Sequence, residues 1–124
     1  MNTNTTRSYK DLVVWQKGIQ VAKLVYGLTQ SFPSEEKFGI VAKMRRAVVS
    51  IPSNVAEGQA RHTTGEFLQF ISHVEGSLAE LDTQLILSIE LKFCSESAAE
   101  PAFTLLGEIR RMLNALRRKL AARA

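Results

Sequence analysis

Six apolar residues, Phe67, Ile71, Val74, Leu78, Leu81 and Leu85, follow one another at alternating steps of four and three. That spacing keeps all six on one face of an α-helix and is the heptad seam of left-handed helix bundles, with a period of about 3.5 residues. A strand would divide the same residues between two faces, because its side chains alternate. Leu106, Ile109, Leu113, Leu116 and Leu120 repeat the pattern nearer the C-terminus. Two such seams need further apolar faces to cover them, and the sequence supplies two more helices.

Leu12, Trp15, Ile19, Ala22 and Tyr26 recur at spacings of three and four and predict one face of a first helix, with Trp15 as a core anchor; Phe32-Pro33 stops it. Ser34 is a good N-cap for the second helix, with Glu35 and Glu36 in the first turn, where the helix dipole favours carboxylates. Pro52 falls inside this helix. Its missing N–H removes a bond to Val48 and predicts a bend in the axis. Thr63-Thr64-Gly65-Glu66 reads as a capping box opening the third helix. The fourth starts near Ser97 to Pro101. No Asn-Gly or Asp-Gly hairpin turn and no sustained alternation of apolar and polar residues argues for strands.

The expected fold is all-α, an antiparallel up-down-up-down four-helix bundle with a Pro-kinked second helix. Its helices span about 11–30, 34–58, 64–92 and 99–120, between a flexible tail at 1–10 and a basic tail at 121–124. A chain of 124 residues encloses one core. With 45% hydrophobic and 23% charged residues it has the composition of a globular domain. Val13, Val21 and Leu24 on the first helix, and Phe70, Ile86 and Ile89 on the third, lie outside the main seams. They widen the apolar stripes and predict self-association.

No apolar run is long enough to span a bilayer, and the N-terminus lacks a signal peptide's apolar segment, so no membrane role is expected and the cytoplasm is the expected location. Cys94 is the single cysteine, which excludes an intrachain disulfide framework and a multi-cysteine metal site. His62 and His73 form no metal motif, and neither a glycine-rich phosphate loop nor a nucleophile elbow occurs. The chain is therefore expected to have no catalytic site, no metal and no cofactor.

The charge is strongly partitioned. Residues 1–62 carry nine basic and four acidic side chains, 63–100 one basic and seven acidic, and 101–124 six basic and one acidic. Arg110, Arg111, Arg117, Arg118 and Lys119 dominate the last stretch, and heptad spacing sets the arginines on a charged strip opposite the leucine seam. Such a strip either meets phosphates or is a solvated face. On the second helix Arg46, Ser50, Ser53, Asn54 and Glu57 form a polar stripe. It either presents Arg45 and Arg46 to a phosphate or partner, or is a structural network. In the network reading the small polar side chains satisfy backbone freed by Pro52, and Arg46 pairs with Glu80.

Three stretches carry a family resemblance: Tyr9 to Lys17 (YKDLVVWQK), Arg45 to Gly58 (RRAVVSIPSNVAEG) and Gly76 to Leu85 (GSLAELDTQL). Together they resemble the four-helix bundle proteins named for reading frames within intervening sequences of bacterial 23S ribosomal RNA genes, over residues 9 to about 120. The resemblance implies a homo-oligomeric ring, a pentamer, with no established enzymatic activity. It also implies kinship with accessory proteins of diversity-generating retroelements, which bind nucleic acid and a reverse transcriptase through a basic surface. Trp15, Arg46, Ser50, Pro52, Ser53, Asn54, Glu57, Gly58 and Glu80 are its motif positions, expected to be structural. Two functions follow as expectations: an RNA- or DNA-binding accessory or scaffold with little sequence specificity, or a protein-interaction adaptor that binds no nucleic acid.

Overall fold

The computed structural model describes residues 8–123, which form four α-helices and two short 3₁₀ turns, with no strand among the described residues. The helices are α1 (Val13–Thr29), α2 (Ile40–Gln59), α3 (Thr64–Glu90) and α4 (Glu96–Ala121). Each packs against two others, in the cyclic order α1, α2, α3, α4 and back to α1. No described helix is long and apolar enough to cross a membrane.

The helix starts follow local chemistry. Thr63 Oγ1 accepts the Glu66 backbone N–H at 3.1 Å, so Thr63 caps α3 as expected, but the Glu66 carboxylate accepts from the Thr63 hydroxyl rather than from its backbone N–H, and only the first half of the capping box forms. Ser95 caps α4 by accepting from the Ala98 N–H at 3.1 Å, so α4 opens at Glu96, before Pro101. Ser34 does not cap α2. Residues Ser34–Glu36 form a separate 3₁₀ turn, and α2 begins at Ile40 because Gly39 takes a non-helical conformation (φ −101°, ψ −115°) between them. α3 ends at Glu90, and just beyond it Lys92 takes φ 64° while the Phe93 N–H reaches the Ser88 carbonyl at 2.8 Å in the manner of a Schellman cap.

The tail expected at 1–10 lies outside the described residues up to Arg7, and its last residues are ordered. Ser8 accepts from the Lys10 N–H, Tyr9–Asp11 form a 3₁₀ turn, and Gln16 Nε2 donates to the Lys10 carbonyl at 2.8 Å. Tyr9 meets the Trp15 ring edge-on at 5.3 Å. The C-terminal tail begins inside α4, which runs through Ala121; residue 124 lies outside the described range.

The core is formed by the seams of α3 and α4 (Ile71, Val74, Leu78, Leu81, Leu85; Leu106, Ile109, Leu113, Leu120), by Met44, Val48, Ile51 and Val55 of α2, and by Val14, Val21 and Val25 of α1. The α1 face differs from the sequence expectation. Ile19 and Tyr26 are exposed and Leu12, Trp15 and Ala22 only half-buried, whereas Val21, expected on a second stripe, is fully buried. The cause is steric. Gly18 on the valine face lets α1 approach α2 until the position of a Gly18 Cβ would lie 3.2 Å from Pro52 Cβ, and short β-branched residues fit that separation where Trp and Tyr do not. The large residues are left on the outer side of the α1/α2 contact.

Candidate nucleic-acid interface

The arginines of α4 divide between two directions. Arg110 and Arg117 flank the leucine seam on the side facing α3 and are engaged there: Arg110 Nη2 lies 2.5 Å from Asp82 Oδ2, and Arg117 holds Glu75 through Nη2 (2.6 Å) and Nε (3.3 Å) while donating to Ser72 Oγ at 3.0 Å. Arg111 and Arg118, one residue on from each, are rotated by about 100° and turn outward. Both are exposed, as are Lys119 and Arg123, and none of the four has an ion-pair partner among the described residues. The strip read from the sequence is therefore half neutralised by the acidic helix α3. On the other flank Lys17 of α1 donates to Glu108 at 2.8 Å; this hydrogen bond, with the attraction of the ammonium charge and a smaller one from Arg111, holds the Glu108 carboxyl below the usual glutamate range.

The two arginines of α2 also part company. Arg45 reaches back to the end of α1, where Nε donates to Thr29 Oγ1 (3.0 Å), Nη2 to the Tyr26 carbonyl (3.2 Å), and the guanidinium stacks 4.5 Å from the Tyr26 ring. A cation at the carbonyl end of a helix is favourably placed against the dipole. Arg46 is exposed and lines a cleft of about 260 Å³ with Lys43, Ala47, Ser50, Ser77 and Glu80. The expected ion pair between Arg46 and Glu80 is not formed: the two share the cleft, and Glu80 instead accepts from Gln84 Nε2 at 3.3 Å.

Around Pro52 the small polar residues are mostly engaged with backbone. Ser50 Oγ donates to the Ala47 carbonyl (2.6 Å) and meets Ser77 Oγ of α3 at 2.5 Å, while Asn54 Nδ2 donates to the Ser50 carbonyl at 2.8 Å. These bonds go to the carbonyls of Ala47 and Ser50 rather than to that of Val48, which Pro52 leaves without its helical donor, and the Ser50–Ser77 contact joins α2 to α3. Ser53 makes no hydrogen bond among the described residues. It lines an outer groove with Tyr9, Trp15, Ile19, Ala22, Val49, Pro52 and Ala56. Glu57 is exposed and without an ion pair among the described residues. Gly58 sits beneath two aromatic rings, where a Cβ would lie 2.8 Å from both Phe67 Cδ1 and Phe70 Cβ.

The charged groups thus fall into two places rather than one site. Arg111, Arg118, Lys119 and Arg123 stand on the outside of α4, and Lys43 with Arg46 stands at the α2/α3 cleft. Sequence reasoning misses Lys43; the signal is its position one helical turn before Arg46. His62 and His73 are both exposed, the latter edge-on to Phe70 at 5.9 Å, and no cluster of three metal-ligating side chains occurs among the described residues. Cys94 is half-buried, and burial pushes its thiol pKa up.

Comparison with curated proteins gives no match. A family model described as 23S rRNA-intervening sequence protein matches residues 10–115, which takes in all of α1, α2 and α3 and most of α4. By that match, the chain belongs to the 23S rRNA-intervening sequence protein family.

Proposed function

We propose that this chain is a non-enzymatic, self-associating helical-bundle protein that binds RNA or DNA through its phosphates with little sequence specificity, as an accessory or scaffold in the cytoplasm. The observation that carries this reading is the set of exposed cations on the outer face of α4 that form no ion pair among the described residues. Arg111, Arg118, Lys119 and Arg123 have no ion-pair partner among the described residues, although α3 supplies carboxylates to their immediate neighbours. A polyanion gains from such a set by releasing its condensed counterions. No helix-turn-helix, zinc-finger or aromatic RNA-binding signature reads bases, so shape and charge would govern binding.

The bundle is read as up-down-up-down, with Pro52 bending α2. Neighbouring helices meet in opposite chain order, which supports the antiparallel arrangement: Gly18 against Pro52 and Thr29 against Arg45, Ser50 against Ser77 and Met44 against Ser88, Asp82 against Arg110 and Glu75 against Arg117. Ring assembly as a pentamer and kinship with retroelement accessory proteins, hence a reverse transcriptase as partner, extend the same reading. A ring would repeat the cationic face on every copy.

The test is fluorescence anisotropy with mixed-sequence RNA and DNA across a salt series. Removing one cation that neutralises a phosphate lowers the slope of log K against log salt by about one. Arg111→Gln, Arg118→Gln and Lys119→Gln together should weaken binding at every sequence and flatten that slope. Arg110→Gln and Arg117→Gln are poorer tests, because each also frees a carboxylate of α3. Absence of binding at low salt overturns this reading. The adaptor reading would then stand, favoured by the exposed aliphatic side chains of Ile19, Val49, Ile86 and Leu87.

A further inference from the structure

The cleft between α2 and α3 lies apart from the cationic face of α4. It holds about 260 Å³ and is lined by Lys43, Arg46, Ala47 and Ser50 of α2 and by Ser77 and Glu80 of α3. Its charged side chains, Lys43, Arg46 and Glu80, are exposed, and none of them forms an ion pair among the described residues. Ser50 and Ser77 have no hydroxyl proton left for a ligand. Ser50 donates its proton to the Ala47 carbonyl or to Ser77, and Ser77 donates to Ser50 or to the His73 carbonyl, so every assignment consumes both. The two oxygens therefore meet the cleft as acceptors. Glu80 is a further acceptor. Gln84 Nε2 braces its carboxylate at 3.3 Å, while Gln84 Oε1 stays buried with no hydrogen-bond partner among the described residues, an arrangement that costs stability.

The lining thus divides by chemistry. Lys43 and Arg46 only donate, whereas Ser50, Ser77 and Glu80 only accept. A bare anion would gain the two cations but meet the Glu80 carboxylate, and a bare cation would gain Glu80 but meet Lys43 and Arg46. A molecule that carries an anionic group close to an ammonium satisfies both sets. The volume lies below the roughly 300–1,000 Å³ of sites for drug-sized ligands, which calls for a small molecule. No aromatic ring lines the cleft among the described residues, so a nucleobase has nothing to stack on, and Ala47 alone offers apolar surface to a ligand side chain. We propose that this cleft binds a free α-amino acid with a small or polar side chain, its carboxylate held by Lys43 and Arg46 and its ammonium by Glu80 and Ser77. The site lies within one copy of the chain and is independent of nucleic acid.

The experiment is an NMR titration of the full chain carrying isotope-labelled alanine methyl groups, which report on Ala47 at the cleft wall and on Ala99, buried in α4. The probes are glycine, L-serine and L-asparagine, set against N-acetylglycine, which lacks the ammonium, and glycinamide, which lacks the carboxylate. The amino acids should shift the Ala47 signal to saturation and leave Ala99 unmoved. Each analogue should bind about ten-fold or more weakly than glycine, because it forgoes one set of charge-assisted hydrogen bonds. Arg46→Gln and Glu80→Gln should weaken L-serine binding to a similar extent. Both positions are exposed, and the other methyl signals show whether the fold is kept; should a variant unfold, the analogues decide the matter on the wild-type chain. No saturable shift of Ala47 with any of the three amino acids overturns the assignment, as does N-acetylglycine or glycinamide binding as tightly as glycine. If mixed-sequence RNA moves Ala47 and the amino acids do not, the cleft belongs to the nucleic-acid interface, and the amino-acid site is refuted while the proposed function stands.

Discussion

Replacing Gly58 by Ala separates two effects that oppose each other in a helix. Ala is favoured over Gly by up to about 1 kcal/mol in a helix interior, because Gly loses more backbone freedom on folding. At Gly58 the added methyl would lie 2.8 Å from Phe70 Cβ and from Phe67 Cδ1. Phe67 can swing its ring, but Phe70 Cβ is anchored to the backbone of α3, so relief requires α2 and α3 to move apart. Overpacking of that kind costs about 1–3 kcal/mol. Gly27 of α1 and Gly76 of α3 are the controls, since a Cβ at either meets nothing within 4 Å. Gly27→Ala and Gly76→Ala should each stabilise by about 0.5–1 kcal/mol. Gly58→Ala should fall below them by the overpacking cost, roughly 1–3 kcal/mol. For a chain of this size each kcal/mol moves the melting temperature by about 3–5 °C. Urea and thermal unfolding at one fixed protein concentration would measure this, the concentration being held because association shifts apparent stability. If Gly58→Ala is as stable as Gly27→Ala, the close approach of α2 to α3 is refuted as the reason for a glycine there.

Lys92 holds a left-handed conformation at φ 64° that an L side chain adopts only at a cost, so Lys92→Gly should stabilise the fold by about 0.5–1 kcal/mol in urea unfolding. The lowered Glu108 pKa makes the Lys17–Glu108 pair a source of stability that is present above the ordinary glutamate pKa of about 4.3 and lost as pH falls through Glu108's own lower value. Lys17→Met should therefore lower the melting temperature at pH 7 by more than at pH 3, and carbon-detected titration should show the Glu108 midpoint rising in the variant. An unchanged midpoint would refute the assignment. Cys94, with its thiol pKa pushed up by burial, should react with iodoacetamide at pH 7.5 more slowly than a free cysteine, and at the same rate once the chain is unfolded in urea.

The seams of α3 and α4 are legible because large aliphatic residues stand there at heptad spacing with little competition, and Ile71, Val74, Leu78 and Leu81 are all buried. On α1 two apolar stripes compete. Size favours the one holding Trp15 and Tyr26, but the core takes Val14, Val21 and Val25 because the distance between helices, set at Gly18 and Pro52, admits only short side chains. The signal is present in the spacing from Val14 through Gly18 and Val21 to Val25. The start of α2 is hard to read because Ser34 has N-cap chemistry while Gly39 decides the backbone path. At the candidate interface the basic character of α4 is legible, but its division is not. Which arginines are neutralised depends on the rotation of α4 against α3, where one residue turns the side chain by about 100°.

The two ion pairs between α3 and α4 are set at the same interval on both helices: Glu75 and Asp82 on one, Arg117 and Arg110 on the other. A seam of period seven repeats only part of its shape after sliding by one heptad, because Ala99 and Ala102 stand seven residues before Leu106 and Ile109. The charges also repeat only in part. Slide α4 by seven residues in either direction and one arginine still meets a carboxylate, while the other arginine and the other carboxylate are left facing apolar neighbours or solvent. Each partly exposed pair is worth only about 0.2–1 kcal/mol, a preference of roughly 1.5-fold to 5-fold. Added to the apolar burial that a slide of about 10 Å would already undo, that preference reinforces where α4 comes to rest, and with it the height on the bundle at which Arg111 and Arg118 stand.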